Sequence, residues 1–167
     1  AAGAVVAVDS TVATPVLTRP LEHGADVVMH AATKYLNGHS DVVAGSLTFK
    51  AKDKLFERAA AIRRDIGAIL APFEAFLLMR GMRTLHVRVR HQAATAMAIA
   101  ERLAKNDRIS AVLYPGLASH PGHDIAKRQM SGGYGGMLSI RVAGGETAAI
   151  RTAANVKVWK RATSLGG

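Results

Sequence analysis

Asp9 and Lys34 are the two residues whose types and positions point most directly to chemistry. Asp9 ends a run of apolar residues at 4–8, and Lys34 follows a second apolar run that ends at His30. If both runs are strands of one sheet, both side chains point into one crevice. There a lysine amine can form a Schiff base while a carboxylate holds a proton on a ring nitrogen, and pyridoxal phosphate (PLP) chemistry needs that pair. Most acids and lysines at strand ends are solvated loop residues, so the pair alone leaves both interpretations open.

The first half of the chain predicts a β-loop-β-loop-β arrangement that would position this pair. The predicted elements are strands over 4–8, 26–30 and 42–49, with a brief helix near 17–23. The first strand is expected to be buried, because its run is rich in β-branched residues. From about residue 52 the apolar residues recur with helical spacing, and Pro72 stands where a second helix can begin.

The second half predicts a small α/β unit. Its predicted elements are a long helix over 84–105, a strand over 109–114, a short helix over 123–129, a strand over 137–142 and a helix that starts after Gly144-Gly145 and runs to about 156. The glycine-rich stretch 132–136 precedes a strand, whereas phosphate-binding loops follow a strand and open a helix. We therefore interpret this stretch as a turn.

The sequence around Asp9 and Lys34 is more informative than the pair itself. It reads Val-Asp-Ser-Thr over 8–11 and Thr-Lys-Tyr-Leu-Asn-Gly-His-Ser-Asp over 33–41. Further along come Arg-Gly-Met-Arg-Thr-Leu, Tyr-Pro-Gly-Leu and Ser-Leu-Gly-Gly, over 80–85, 114–117 and 164–167. In this order the segments resemble the Cys/Met-metabolism family of PLP-dependent enzymes, and the resemblance covers nearly the whole chain.

The resemblance implies an α/β fold, the type I (aspartate aminotransferase-like) fold of PLP-dependent transferases. The C-terminal half of the large, PLP-binding domain would occupy 1–88, and a truncated small C-terminal α/β domain would occupy 89–167. With PLP as cofactor, Lys34 would bind it covalently and act as the catalytic base, a role that suits a lysine whose surroundings disfavour its charged form. Asp9 would pair with the pyridine nitrogen and Thr33 would donate to the phosphate. Ser164 would lie near the substrate carboxylate.

The resemblance also implies an activity, which is γ-replacement or γ-elimination in sulfur amino-acid metabolism. The substrates would be homoserine esters, cysteine and cystathionine. The stretch 35–41 favours the cystathionine enzymes, and cystathionine γ-synthase is the activity we expect. Cystathionine γ-lyase, methionine γ-lyase and O-acetylhomoserine sulfhydrylase are the alternatives. The family is homotetrameric, and its phosphate loop, stacking tyrosine and substrate-carboxylate arginine would lie outside these 167 residues, so we expect the fragment alone to be inactive.

Two residues depart from the family's pattern at the expected site. Ala31 stands where the family usually has a serine whose hydroxyl contacts the phosphate, and Ser10 replaces the commoner asparagine. A charge-assisted hydrogen bond of this kind is worth roughly 1.5–3 kcal/mol. We therefore expect Ala31 to weaken cofactor binding without abolishing it.

Composition limits the remaining classes of function. The chain has no cysteine, and its histidines do not converge as zinc ligands do, so we expect no metal site. No apolar stretch approaches the roughly 20 residues that span a bilayer, so we expect a cytoplasmic protein without a membrane partner. The net charge of +10 favours nucleic acid, but the basic residues are scattered and few aromatic residues lie among them. We expect no nucleic-acid partner; a basic binding module or an inactive fragment is the alternative from another class.

Overall fold

The computed structural model describes residues 3–167, and these residues form two compact units. The first unit extends to His86 and also includes Gly166 and Gly167, whereas the second unit comprises Val87–Leu165. Among the described residues, no helix is both long enough and apolar enough to cross a membrane.

A three-stranded sheet organises the first unit. Its strands are β1 (Ala7–Asp9), β2 (Val27–His30) and β3 (Ser46–Phe49), in that spatial order. β1 and β2 are parallel, with Asp9 opposite Met29, and β3 is antiparallel to β2. The predicted β-loop-β-loop-β arrangement is confirmed, although each strand is shorter than predicted. Because β1 and β2 run in the same direction, their carboxyl ends lie at the same edge of the sheet.

The prediction of a buried first strand is wrong. β1 begins only at Ala7, and the valines before it are exposed, with 58% of Val5 and 49% of Val6 accessible. Within residues 3–167, β1 is an edge strand that pairs only with β2, and a β-branched run fits such a half-covered position as well as it fits a buried one. β2 is covered as predicted, because Val27 and Val28 are both buried.

Short helices connect β1 to β2, and longer helices follow β3. These helices are α1 (Thr14–Leu17), a 3₁₀ helix (Pro20–His23), α2 (Lys54–Asp65) and α3 (Pro72–Met82). The Asp53 carboxylate caps α2, because it accepts the N–H groups of Leu55 and Phe56 at 3.0 and 3.1 Å. Pro72 opens α3 as predicted, since the first turn of a helix leaves the backbone N–H unpaired in any case.

The second unit packs a long helix against a two-stranded sheet. Its elements are α4 (Leu85–Leu103) from Val87 onward, β4 (Ile109–Leu113), α5 (His123–Gln129), β5 (Ser139–Val142) and α6 (Gly145–Asn155), with β4 antiparallel to β5. Ala96 and Ala100 of α4 pack with Val112 and Tyr114 in the core. The predicted order of elements is confirmed, and only the ends of the elements differ.

Candidate functional site

The loops that follow β1 and β2 start from one edge of the first unit's sheet. The chain leaves β1 at Asp9 and leaves β2 at His30, one residue beyond Met29, the register partner of Asp9. The N–H of Ser10 donates to the carbonyl oxygen of Met29 at 2.9 Å and so extends the pairing past the strand. Asp9 and the segment that leads to Lys34 therefore emerge side by side.

The Asp9 carboxylate is held by the residue two positions along the chain. Its Oδ1 accepts the N–H of Thr11 at 2.9 Å and the hydroxyl of Thr11 at 2.5 Å. These bonds, first the hydroxyl and then the N–H, lower the pKa of Asp9; burial opposes this shift, and nearby His30, when protonated, adds to it. The carboxylate is therefore ionised near neutral pH and can pair with a cationic ring nitrogen.

Lys34 lies in a tight turn directly after β2. Its N–H donates to Ala31 O at 3.0 Å, and its carbonyl oxygen accepts the N–H of Gly38 at 2.8 Å. Gly166 packs on this turn, because a Cβ there would lie 2.7 Å from the nitrogen of Tyr35 and 2.9 Å from the carbonyl carbon of Lys34. The backbone that carries the half-buried lysine is thus fixed by its own turn and by Gly166.

The hydroxyl of Thr33 is engaged with the far end of the same loop. It donates to Ala44 O at 3.2 Å and accepts the N–H of Ala44 at 2.9 Å. A hydroxyl has one proton, so Thr33 can donate to a phosphate only by turning away from Ala44 O. In this arrangement the residue closes the loop between β2 and β3.

Ser164, the remaining residue expected at the site, is exposed and belongs to the second unit. Asp9, Thr33 and Lys34 all belong to the first unit. The first unit thus brings three of the four expected site residues to the loops after β1 and β2.

Backbone conformation is unusual at one position in each of the segments that follow β1 and β2. Thr14, the first residue of α1, and Ser40, in the loop after β2, have positive φ angles of 60° and 58°. Positive φ is uncommon for residues other than glycine and is a genuine outlier for a β-branched residue such as threonine. Such conformations cost energy and cluster at functional sites, which agrees with a site at this edge.

The polar groups at this edge suit PLP. Ser10 Oγ and His30 Nε2 are buried without a hydrogen-bond partner among the described residues, which is unusual for buried polar atoms. Burial lowers the pKa of His30 while the Asp9 carboxylate opposes this shift, so the ring is neutral near pH 7. An ionised carboxylate and a lysine amine on neighbouring strand ends match the donor set that PLP requires. Within residues 3–167, no three His, Asp or Glu side chains form a group that could hold a metal ion.

Thr11 is a residue at this edge to which the sequence analysis assigned no role. Its hydroxyl contacts both Asp9 and the N–H of Ala31, 20 residues away, at 2.8 Å. The sequence signal for it is its place within the Val-Asp-Ser-Thr segment, but the contact with Ala31 depends on the pairing of β1 with β2.

Comparison with known proteins finds one matching family and relatives that are named as cystathionine synthases and lyases. A family model described as "Cys/Met metabolism PLP-dependent enzyme" matches residues 1–167. The chain is 49% identical to cystathionine gamma-synthase of Mycobacterium bovis over 162 residues, which are 97% of this chain and 41% of the relative. It is 45% identical to cystathionine gamma-lyase of Dictyostelium discoideum over 165 residues, 99% of this chain and 42% of the relative. It is 46% identical to cystathionine beta-lyase of Lactococcus lactis subsp. cremoris over 164 residues, 98% of this chain and 42% of the relative.

A solved structure is similar over the same extent. The chain superposes on cystathionine gamma synthase from Xanthomonas oryzae pv. oryzae, in complex with aminoacrylate and cysteine, with a TM-score of 0.93 and 42% identity. This superposition covers 99% of the chain and 42% of that structure. The chain therefore spans about two fifths of the length of the proteins that it matches.

Proposed function

Because the chain belongs to the Cys/Met-metabolism family of PLP-dependent enzymes, we propose that the intact protein is a cystathionine γ-synthase that performs γ-replacement on a homoserine ester. The family, its cofactor PLP and the type I fold, all predicted from the sequence, are confirmed. The observation that carries the proposal is the parallel pairing of β1 with β2, because it brings Asp9 and the turn of Lys34 to one edge. The choice of γ-replacement is supported only by a small difference in identity, which is 49% to the synthase against 45% and 46% to the gamma- and beta-lyases.

In this proposal Asp9 and Lys34 divide the chemistry. PLP, when bound, supplies an electron sink for negative charge at the substrate Cα. The Asp9 carboxylate, whose ionised form is stabilised by the bonds from Thr11, keeps a proton on the ring nitrogen. The Lys34 amine removes the proton from Cα and transfers protons at Cβ, which allows the γ-substituent to leave. Cysteine then adds through its thiol in the synthase reaction.

The proposed roles of the other two residues concern binding. Thr33 donates its hydroxyl to the cofactor phosphate after turning from Ala44 O, and Ser164 contacts the substrate carboxylate. We also propose that residues 1–88 belong to the large PLP-binding domain and 89–167 to the small C-terminal domain. The intact protein is proposed to be a cytoplasmic homotetramer that takes amino-acid substrates and neither nucleic acid nor membrane.

A reaction panel on the intact protein tests the activity. O-Succinylhomoserine or O-acetylhomoserine is supplied with cysteine, and cystathionine is supplied alone. Formation of cystathionine from either ester supports the proposal, and the preferred ester identifies the acyl group. Cleavage of cystathionine without synthesis contradicts it: release of cysteine means γ-elimination, and release of homocysteine means β-elimination. Methionine and sulfide are included to detect the two remaining family activities.

A second measurement tests the role of Lys34 separately. The protein with PLP is reduced with borohydride and the modified peptide is mapped. A stable adduct on Lys34, absent from Lys34→Ala, supports the assignment. An adduct on another lysine, or none, contradicts it whatever the activity panel shows.

A further inference from the structure

The hydroxyl of Thr11 joins the two loops that carry the proposed acid and the proposed base. It contacts Asp9 Oδ1 at 2.5 Å and the N–H of Ala31 at 2.8 Å. Ala31 lies three positions before Lys34 and accepts the N–H of that lysine at 3.0 Å. One side chain therefore connects the carboxylate to the start of the lysine turn.

The direction of these two hydrogen bonds is fixed by chemistry. A backbone N–H can only donate, so the Thr11 oxygen accepts from Ala31. The single hydroxyl proton of Thr11 is then available to the Asp9 carboxylate, which can only accept when ionised. A distance of 2.5 Å is typical of a charge-assisted O–H···O⁻ bond, the stronger class of hydrogen bond.

The two oxygens of the Asp9 carboxylate differ in their hydrogen bonding. Both groups of Thr11 bind Oδ1, and Oδ2 accepts no hydrogen bond from residues 3–167. An ordinary turn led by an aspartate explains the N–H of Thr11 on Oδ1. It does not explain the contact between the Thr11 hydroxyl and Ala31, 20 positions away.

We propose that Thr11 is a positioning residue, which fixes the rotation of the Asp9 carboxylate so that Oδ2 faces the cofactor ring nitrogen and sets the spacing between Asp9 and the turn of Lys34. The inference rests on the proposed function, because it assumes that PLP binds at this edge. It assigns Thr11 no contact with the substrate or the cofactor.

The test is a double-mutant cycle on the intact apoprotein, read out as the dissociation constant for PLP rather than as activity. Thr11→Val removes the hydroxyl while keeping the shape and the backbone N–H, and Thr11→Ser keeps the hydroxyl. Loss of a hydrogen bond to a charged group predicts roughly tenfold weaker PLP binding for Thr11→Val or more. Thr11→Ser is expected to bind within about threefold of wild type, because its hydroxyl can make the same bonds.

The Asp9→Asn background separates a role through Asp9 from a merely structural role. If Thr11 acts through the carboxylate, Thr11→Val changes PLP affinity little once Asp9 is neutral. An equal loss in both backgrounds overturns the inference, and so does wild-type affinity for Thr11→Val. If Thr11→Val fails to fold, Thr11→Ala enters the same cycle. Failure of the wild-type protein to bind PLP overturns the proposed function instead, so the two failures are distinguishable.

Discussion

A single methyl group at Gly81 is expected to destabilise the protein, because α3 meets the loop after Lys34 backbone to backbone at this point. A Cβ at position 81 would overlap the carbonyl oxygen of Asn37 and lie 3.0 Å from its carbonyl carbon. Replacing glycine by alanine inside a helix favours folding by about 1 kcal/mol. Overpacking costs about 1–3 kcal/mol, and the upper part of that range applies because Asn37 is only 1% exposed and its carbonyl also binds His39 Nδ1. The net expectation is a loss of about 1–2 kcal/mol.

Urea unfolding of the intact apoprotein measures this loss. The matched control is Gly45→Ala, whose new Cβ would meet only His30 O at 3.9 Å, an ordinary contact. The control is expected to match wild type or to be more stable by up to about 1 kcal/mol, because alanine restricts the unfolded chain. An unfolding midpoint for Gly81→Ala equal to or above that of wild type would refute the close-packing argument.

Three further substitutions test other parts of the structure by the same unfolding measurement. Tyr114→Phe removes the buried hydroxyl that donates to Gly135 O at 2.9 Å and is expected to lower the free energy of unfolding by about 1–3 kcal/mol. The control is Tyr134→Phe, because the hydroxyl of Tyr134 makes no hydrogen bond within residues 3–167; this change should alter stability by less than about 0.5 kcal/mol. Asp53→Ala removes the cap of α2 and should cost about 1 kcal/mol; an unchanged midpoint would mean that the cap is replaced by water. For His30, burial holds the folded-state pKa below the ordinary 6.5, so the unfolded state binds more protons as pH falls through 6.5 and stability declines. As the pH falls from about 7.5 to 5.5, His30→Gln should lose less stability than wild type; equal losses would contradict a lowered pKa of His30 in the folded state.

The fold was largely predictable because its signals are local. Proline at position 72, the helical spacing of α4 and the glycines at the start of α6 each mark an element within a few residues. The prediction that was wrong is the burial of β1. Burial depends on which strand lies next to β1 and on what covers its faces, and a run of valines carries no information about either.

For the candidate site, sequence-based prediction reaches only as far as the motif extends. Asp9, Thr33 and Lys34 lie in segments that are contiguous in sequence, so a resemblance can identify them. The bond from Thr11 to Ala31 spans 20 positions and exists only in the register that places Asp9 opposite Met29. A one-residue slip would turn the side chains of β1 to the other face of the sheet and break this bond.

If PLP binds at this edge as proposed, its noncovalent retention by residues 3–167 would depend more on Asp9 than the usual family motif implies. Ala31 has no hydroxyl for the phosphate, and its N–H is already bound to Thr11. The Thr33 hydroxyl must exchange its bond to Ala44 O before it can donate to a phosphate, so its net contribution is smaller than that of a free donor. The Asp9 carboxylate needs no such exchange, because its Oδ2 is unoccupied by residues 3–167. On the proposed function, the orientation of the Asp9 carboxylate, and hence the hydroxyl of Thr11, would therefore contribute more to PLP binding in this protein than in relatives that have the serine.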